Sequence, residues 1–515
     1  PTPGEAYNSL RYIMTELTGG ALIRGLHHWG ASMMVIVVVL HMVQVAVFGA
    51  YRAPREVNWW TGILLSLLVM GFALTGYLLP WDQKGYWATQ VATTLLGATP
   101  AVGPMLQRLL QGGPGYGNLT LTHFYSLHVF VLPLLLLLLI GVHVALFRRH
   151  GVTPHWRRSA EELDRATAPF WPRQALYDLV ACALCVAGLF AWVWRAKGVD
   201  LGAPADPSAP YDARPEWYFL PLFQLLKYFP GQLEVVAAMG APLLFLGALA
   251  LLPVVDRAPT CEPQRRRGPL ALFALCLTMA ALLGGLAARQ DARNPAFATH
   301  QADAHAQAIR ARKLALLGVP AAGGLAVYEN DPLEQGRKLF VEHCAGCHRL
   351  GRMGPADEDV KGPQLSRLWS RAWIDGFLRA PDSPDYYGHS KLKEGMKPVV
   401  ATASEQADLV EYLFSLGGAA DVDAAKVGRG KLLFEDRNCD LCHERDGKTA
   451  GQGPNLLGYG SDAWLRAFLQ TPGAPIFYGE KNDMPSFAKK LSDSELARLS
   501  AFVGAQRTAP ANVVP

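Results

Sequence analysis

The chain has 515 residues, enough for three or more domains. Half of its residues are hydrophobic and only 18% are charged, which is apolar for a soluble protein and suits one that is partly embedded in a membrane. The formal charge of +5 is small and no long basic run occurs, so nucleic acid is not expected as a partner. Of eight cysteines, four lie in two Cys-x-x-Cys-His runs, so a disulfide framework is not expected either.

Six stretches are long and apolar enough to cross a bilayer, which takes about 20 helical residues. They are residues 26–49, 61–80, 127–147, 176–194, 235–255 and 269–288. The loops after the first, third and fifth stretches hold most of the arginines, so this side is expected to be cytoplasmic. Residues 290–515 follow the sixth stretch and are therefore expected on the outer, periplasmic side.

Histidines in the first and third stretches lie on matching faces. His27 and His41 are fourteen residues apart, which places them about 40° apart around a helix. His128 and His143 are fifteen apart, or about 60°. Both helices run the same way, so His27 should meet His128 near the outer side and His41 should meet His143 near the inner side. Two facing imidazoles at each depth favour two bis-histidine haems of the b type over isolated polar contacts in the membrane.

The second stretch carries Gly62 and Gly76, which are also fourteen residues apart. Small residues at this spacing would let a flat macrocycle approach the helix backbone at both levels. Ordinary close packing between helices is an equally good interpretation.

The last part of the chain contains an internal repeat, in which Gly336–His348 resembles Gly430–His443. Each copy ends in a Cys-x-x-Cys-His run, the pattern for covalent attachment of a c-type haem, with the histidine as an iron ligand. The residues of these two motifs are Cys344, Cys347 and His348 in the first copy, and Cys439, Cys442 and His443 in the second.

A sixth iron ligand is expected for each c-type haem. Met484, in an Asn-Asp-Met-Pro run, suits the second motif, and Met396 is its counterpart in the first repeat. His389 is the main rival to Met396, whereas Met353 lies too close to His348 to swing round easily.

The membrane part resembles the cytochrome b family. Residues 1–150 resemble cytochrome b6 from its second helix onward, including Leu79-Pro-Trp-Asp-Gln and Phe124-Tyr-Ser-Leu-His. Residues 170–290 resemble subunit IV of the same complex and include Pro215-Glu-Trp-Tyr218. Residues 334–508 resemble small class I cytochrome c domains.

The resemblance implies an all-α fold, a transmembrane bundle with six visible spans followed by two small α-helical class I cytochrome c domains. The corresponding division of the chain is a cytochrome b6-like di-haem core over 1–150, a subunit IV-like membrane domain over 151–290, a linker over 291–333, and cytochrome c domains over 334–420 and 421–515.

The resemblance also implies functional residues. His27 and His128 would hold the outer haem b and His41 and His143 the inner one, with Arg24 near a haem propionate. Glu216 and Tyr218 would lie at an outer quinol-oxidation site. A carboxylate at the membrane edge can accept a proton from quinol, although a loop carboxylate facing water is the plainer interpretation of Glu216 on its own. Trp81 and Tyr86 could help to wall this site.

The implied protein is the cytochrome b/c subunit of a Rieske/cytochrome b complex in a bacterial cytoplasmic membrane. Quinol would be oxidised with bifurcated electron transfer and proton translocation. The implied partners are a Rieske iron–sulfur protein, other membrane subunits, a soluble cytochrome c or similar acceptor, membrane lipid and, from the family, a second copy of the complex. The cofactors are two haem b, two haem c and quinone.

Two departures from the family stand out. Its first helix is not present, and we expect a missing N-terminal segment. The cysteine that anchors an additional inner haem c in cytochrome b6 would lie on that helix, so this haem stays open. Gln44 stands where cytochrome b6 has a basic residue near the inner haem.

The main alternative is a di-haem b membrane anchor that relays electrons for another dehydrogenase without quinol oxidation of its own. Such anchors usually have four or five spans and lack the Pro-Glu-Trp-Tyr and Leu-Pro-Trp runs. A redox sensor or structural haem scaffold fits less well, because no kinase-like or DNA-binding segment follows.

Overall fold

The computed structural model describes residues 2–158, 161–162, 169–209, 211–258, 260–351, 353–355, 359–393 and 395–508. The chain divides into two compact units, Pro1–Val327 and Tyr328–Pro515. Within the described ranges the units contain helices and turns but no strand, which confirms the all-α prediction.

The first unit holds the membrane helices. In chain order its α-helices are α1 Pro3–Thr15, α2 Gly20–Phe48, α3 Glu56–Tyr77, α4 Gln83–Gly97, α5 Gly103–Gln111, α6 Asn118–Ser126, α7 Leu132–His150, α8 Ala175–Arg195, α9 Leu220–Leu226, α10 Gln232–Val255, α11 Arg267–Arg293, α12 Pro295–Ala315 and α13 Ala326–Glu329. Two π-helical turns, Leu127–Val131 and Phe170–Gln174, precede α7 and α8.

Six helical segments are long and apolar enough to cross a membrane, which confirms the six predicted spans. They are Gly20–Phe48, Glu56–Tyr77, Asn118–His150, Phe170–Arg195, Leu233–Val255 and Arg267–Arg293. The chain is therefore a multi-pass membrane protein.

The end of α2 is fixed by backbone geometry and by a buried arginine. Gly49, with φ +66°, ends the helix in the left-handed conformation that glycine adopts without strain. The fully buried Arg266 donates hydrogen bonds to the carbonyl oxygens of Ala46 and Val47 in the last turn of the helix, and Ala46 also accepts from the amide of Gly49. Asp256 accepts from Arg266 Nε at 2.7 Å, so the buried positive charge is compensated.

The second unit consists of short helices around one hydrophobic core. They are α14 Pro332–His343, α15 Arg371–Arg379, α16 Ala403–Leu416, α17 Ala424–Asp436, α18 Asp462–Gln470 and α19 Asp493–Gly504. The main partner of α14 is α19, and the main partner of α17 is α16. The core includes Phe340, Leu409, Phe434 and Leu496, so both repeats contribute to it. The boundary drawn at residue 420 stays a prediction, since the helices group differently from the repeats.

Candidate haem-binding and quinol-binding sites

The four membrane histidines form two pairs, as their spacing predicts. The rings of His27 and His128 have centroids 6.1 Å apart, and the rings of His41 and His143 have centroids 6.5 Å apart. Within each pair the ring planes are nearly perpendicular, at 89° and 76°. Each pair brings one histidine from α2 and one from the segment that ends in α7.

These separations match the space that one metal ion needs between two imidazoles. A metal–nitrogen bond of about 2 Å on each side, added to the distance from each nitrogen to its ring centre, gives about 6 Å between centroids. Each pair therefore has the spacing at which two imidazoles would hold one haem iron between them.

Two threonines of α3 orient the rings on the α7 side. Thr61 Oγ1 lies 3.0 Å from His143 Nδ1, and Thr75 Oγ1 lies 3.1 Å from His128 Nδ1. Each hydroxyl donates its own proton to a backbone carbonyl, Asn58 for Thr61 and Gly71 for Thr75. The threonine oxygen must therefore accept from Nδ1–H, which leaves Nε2 without a proton and able to bind iron.

Thr61 and Thr75 were not predicted from the sequence, although a signal was present. A Thr-Gly pair occurs twice on α3, as Thr61-Gly62 and Thr75-Gly76, fourteen residues apart. The glycines of these pairs were predicted to matter, but the threonines were not. A hydroxyl that bonds back to its own helix is common, but its repetition at the spacing of the histidines was the usable clue.

The π-helical turn Leu127–Val131 contains His128 and corrects the register of its helix. The amide of Leu132 donates to the carbonyl oxygen of Leu127, a bond that spans one residue more than an α-helical bond. This turn absorbs one residue, so the fifteen residues between His128 and His143 act as about fourteen. Pro133, which has no N–H to donate, follows immediately and interrupts the α-helical ladder there. This turn was not predicted from the sequence.

One cavity of about 1020 Å³ reaches both histidine pairs. All four histidines line it, together with Gly62 and a residue not singled out earlier, Gly30 of α2. Arg55 and Asn58 lie in its lining near the His41 and His143 level. The cavity therefore extends between the two levels along the helix bundle.

Gly76 makes room for a ring. A Cβ added to Gly76 would lie 2.6 Å from His128 Cε1, so any larger residue would displace the imidazole. A Cβ at Gly62 would lie 3.5 Å from His143 Cε1, an ordinary contact distance. The predicted approach of a macrocycle to these glycines stays a prediction, and the structure adds a positioning role for Gly76.

Arg24 lies one turn before His27 but is directed to a neighbouring loop. Its Nη1 donates to the carbonyl oxygens of Val199 and Asp200, at 3.1 and 3.3 Å. The same nitrogen is 2.8 Å from Met14 Sδ. Contact between Arg24 and a haem propionate stays a prediction.

Glu216 is held beside the loop that follows α3. Lys84 Nζ donates to Glu216 Oε1 at 2.9 Å, and the Glu216 side chain is only 18% exposed. Lys84 also lies over the Tyr77 ring, 5.4 Å from its centroid. The Tyr77 hydroxyl is buried and has no hydrogen-bond partner among the residues that the structure describes. Glu216 is therefore a half-enclosed carboxylate and not a loop residue facing water.

The residues next to Glu216 build an aromatic wall. The Trp217 and Tyr218 rings are 5.4 Å apart, and Trp217 Nε1 donates to Ser32 of α2 at 3.4 Å. Burial, with a contribution from the charge of Glu216, raises the pKa of Tyr218 to about 12. The Tyr218 hydroxyl thus stays protonated at neutral pH. Trp81, just before α4, and Tyr86, in α4, are buried and in contact with each other.

The histidines of the two Cys-x-x-Cys-His motifs are oriented in the same way. His348 Nδ1 lies 2.9 Å from the carbonyl oxygen of Pro363, and His443 Nδ1 lies 2.9 Å from that of Pro454. A carbonyl can only accept, so Nδ1 carries the proton and Nε2 is free to bind iron. Burial lowers the pKa of both histidines, which favours the neutral form that iron binds.

Each motif also has room for a covalent attachment. Cys344 is buried, and burial raises the pKa of its thiol to about 12, whereas Cys347 is exposed. Cys439 is half-buried and Cys442 exposed. None of the four is paired in a disulfide, so all four can form thioether bonds to haem vinyl groups.

A cavity of about 610 Å³ lies against the second motif. It is lined by Cys439, Cys442 and His443, and the methionine that lines it is Met396 of the first repeat. Met484 is partly buried against the same hydrophobic core. His389, the rival ligand, is exposed.

Comparison with known proteins gives matches along most of the chain. Residues 32–204 match the family described as "Cytochrome b(N-terminal)/b6/petB", and residues 204–305 match "Cytochrome b(C-terminal)/b6/petD". Residues 333–417 match "Cytochrome c", and residues 425–503 match "Cytochrome C oxidase, cbb3-type, subunit III".

Two curated relatives show how far the likeness extends. The chain is 48% identical over 153 residues to cytochrome b6 of Stigeoclonium helveticum, which covers 30% of this chain and 71% of the relative. It is 38% identical over 242 residues to cytochrome b of Rhodobacter capsulatus, which covers 45% of this chain and 55% of the relative. The chain thus spans only about half the length of that cytochrome b.

A solved structure titled "Hyperthermophilic respiratory Complex III" is 26% identical with a TM-score of 0.48, covering 63% of this chain and 85% of the matched one.

The fold and its paired histidines define a multi-pass membrane protein of electron transport that uses haem b and haem c. The chain belongs to the cytochrome b/b6 family and carries cytochrome c domains at its C-terminal end.

Proposed function

We propose that the chain is the cytochrome b/c subunit of a bc-type quinol:electron-acceptor oxidoreductase. Quinol bound at the outer side gives up two electrons and two protons. One electron passes to a Rieske iron–sulfur partner and then to the c-type haem sites. The other crosses the membrane from the His27 and His128 level to the His41 and His143 level, and leaves at an inner quinone site.

The surroundings of Glu216 carry this proposal. A relay anchor needs the two histidine levels but has no use for a half-enclosed carboxylate at one end of them. Tyr77, beside Lys84, ends α3 only two residues after Thr75, which bonds His128. The Glu216–Lys84 pair therefore lies close to the outer histidine level, where a quinol would have to deliver its electrons.

The residues of this site suit proton transfer from a quinol. Glu216 offers a carboxylate oxygen as proton acceptor, and the Lys84 ammonium compensates its charge before the proton arrives. Tyr218, which stays protonated, can donate a hydrogen bond to a quinol oxygen. The histidine pair at each level would hold a haem, which would supply one-electron chemistry there. The apolar walls of Trp217 and Tyr218 favour a flat, apolar ligand.

The remaining parts of the proposal concern the assembly. We propose two haem b, held by the four membrane histidines, and two haem c, attached at the two motifs, with an additional inner haem c left open. The partners are the Rieske protein, other membrane subunits, membrane lipid, a soluble cytochrome c or similar acceptor, and a second copy of the complex. The C-terminal unit lies in the periplasm of a bacterial cytoplasmic membrane.

Glu216→Gln tests the proposal because it keeps the shape of the side chain and removes the proton acceptor. We expect quinol-dependent reduction of the c-type haems in the purified complex to slow by about 10²-fold or more, in line with the loss of a general base. Glu262→Gln is the matched control, since Glu262 is also paired with a basic residue but lies in the opposite loop, before α11. Unchanged quinol turnover in Glu216→Gln at every pH would favour the relay anchor instead.

A further inference from the structure

Two close helix–helix contacts in the second unit each join one repeat to the other. α14, which leads into the first Cys-x-x-Cys-His motif, packs against α19, the last helix of the second repeat. Gly336 lies at this crossing, where a Cβ would be 2.5 Å from Phe502 Cβ and 2.2 Å from the carbonyl oxygen of Arg498. The rings of Phe340 and Phe502 are 6.0 Å apart at the same place. Glycine therefore permits a close contact that any larger residue would prevent.

The second crossing repeats this arrangement with the copies exchanged. α17, which leads into the second motif, packs against α16 of the first repeat. A Cβ at Gly430 would be 2.7 Å from Tyr412 Cβ and 2.1 Å from the carbonyl oxygen of Asp408. The rings of Phe434 and Tyr412 are 5.6 Å apart. Each motif is thus anchored on the last helix of the other repeat.

The methionine loops follow these helices. Met396 precedes α16, and it lines the 610 Å³ cavity with Cys439 and His443 of the second motif. Nearby, Arg437 Nη1 donates to the carbonyl oxygen of Val400 at 2.7 Å, which ties the loop that contains Met396 to the start of the second motif.

A corresponding contact links the first motif with the loop of Met484. His343, which directly precedes Cys344, has its ring 6.5 Å from the ring of Phe487. Phe487 follows Met484 by three residues and bonds through its amide to Leu469, as Val399 bonds to Leu378 in the first repeat. The two methionine loops therefore have the same local structure and lie next to the motifs of opposite repeats.

We propose that each c-type haem takes its sixth iron ligand from the other repeat. Met396 completes the site of His443, and Met484 completes the site of His348. The thioether sulfur is a ligand that class I cytochrome c domains use, and what is new is the exchange between the two copies. This assignment does not depend on quinol chemistry.

A cluster of three tyrosines, contributed by both repeats, also connects the two haem sites. The hydroxyl oxygens of Tyr387, in the first repeat, and Tyr478, in the second, are 2.8 Å apart. Tyr459 lies 2.8 Å from Tyr478 and 3.4 Å from Tyr387, and all three residues line the cavity of the second motif. Tyr478, in the loop that leads to Met484, thus lines the same cavity as Met396. A change of ligand at one haem is therefore expected to have a smaller, secondary effect at the other.

The test marks one haem at a time in the full-length, membrane-bound protein. Cys439→Ala leaves the second haem attached through Cys442 alone, so one of its vinyl groups stays free and its α-band moves away from that of the first haem. Cys344→Ala marks the first haem in the same way. The two marked proteins can then be titrated potentiometrically, with each haem followed at its own wavelength.

In the Cys439→Ala protein, Met396→His should lower the midpoint potential of the marked haem, because methionine ligation raises the potential relative to histidine. Met484→His should lower that of the unmarked haem. In the Cys344→Ala protein the two outcomes should be exchanged. Met353→Leu, next to the first motif, is the control and should change neither.

A larger drop at the first haem than at the second on Met396→His would overturn the exchange, and so would equal drops at both. Met396→Leu provides a second measurement if the histidine variant binds haem poorly. An open sixth position on a reduced haem binds carbon monoxide, so the marked haem of the Cys439→Ala protein should show the spectral change. Carbon monoxide binding at the unmarked haem alone would contradict the assignment.

Discussion

The two units hold their iron ligands by different means. In the membrane unit the ligand candidates are four histidines on two long helical segments, and Thr61 and Thr75 of a third helix orient two of them, His143 and His128. In the C-terminal unit the histidine candidate comes from a five-residue motif whose two cysteines would attach the haem, and the methionine candidate at the second motif lies in the opposite repeat. Helical periodicity predicts which histidines of two neighbouring helices lie at the same level. Sequence repetition predicts which elements exist, but not which copies pack together.

Removing one membrane histidine gives the largest expected effect. His143→Ala leaves His41 alone at the inner level, so we expect the protein to keep about one of two haem b and both haem c. A pyridine haemochrome spectrum of the purified protein measures this ratio. His28→Ala is the matched control on α2, because the His28 ring contacts Trp29 and is not paired with a histidine of α7. A full complement of haem b in His143→Ala would contradict the pairing.

Removing the threonine hydroxyl that bonds a membrane histidine tests how the membrane unit orients its ligands. Thr75→Val leaves Nδ1 of His128 without its acceptor, so the ring loses both its orientation and its preferred tautomer. We expect haem b to be retained about 10–100-fold less tightly at the outer level, measured as transfer to apomyoglobin.

Two further variants of α3 control this experiment. Thr61→Val should have the same effect at the inner level, through His143. Thr75→Ser keeps the acceptor oxygen and should behave like the unmodified protein. Equal haem transfer from Thr75→Val and Thr75→Ser would show that the hydroxyl does not position the ligand.

Acid should weaken the C-terminal unit through Glu411, a carboxylate that is paired with Arg371. Hydrogen bonds from Arg371, at 2.7 and 2.9 Å, lower the pKa of Glu411 to about 2. A depressed pKa means that this pair stabilises the fold above the ordinary value of about 4.5 and loses its contribution as pH falls toward 2.

Glu411→Gln should therefore lower the thermal unfolding midpoint of the c-type haem unit by a few degrees near neutral pH, and by less as the pH approaches 2. Circular dichroism of the haem c bands in the full-length protein measures the midpoint. Glu480→Gln, at an exposed position, is the control and should have no effect at either pH. A loss of the same size at both pH values would rule out a contribution from the charge.

The sequence was sufficient to predict the six membrane helices and both histidine pairs. Those predictions depend on hydropathy over about 20 residues and on a repeat of 3.6 residues per turn, and both are local properties of a helix. The π-helical turn around His128 could not be predicted in this way, because it depends on one backbone bond from Leu132 to Leu127. Pro133 was the visible sign of an interruption.

The partner of Met396 could not be predicted from the repeat. Both repeats contain the same elements, so α14 and α17 each have two similar helices against which they could pack, and the choice depends on contacts distant in sequence. Gly336 and Gly430 indicate that each of these helices is approached closely, but not by which copy. The Glu216–Lys84 pair could not be predicted for a related reason, since Lys84 in the first turn of α4 and Glu216 in the loop before α9 are separated by more than a hundred positions.

The crossed helix pairs also set an order in which the C-terminal unit can be completed during synthesis. The partner of α17 is already made when α17 emerges, because α16 ends only a few residues earlier. α14 has to wait until Asp493–Gly504 has been translated before it finds its partner. The motif that is synthesised first is thus the last to be enclosed, and the apolar residues of α14 stay exposed to water until the last helix of the second repeat has been made.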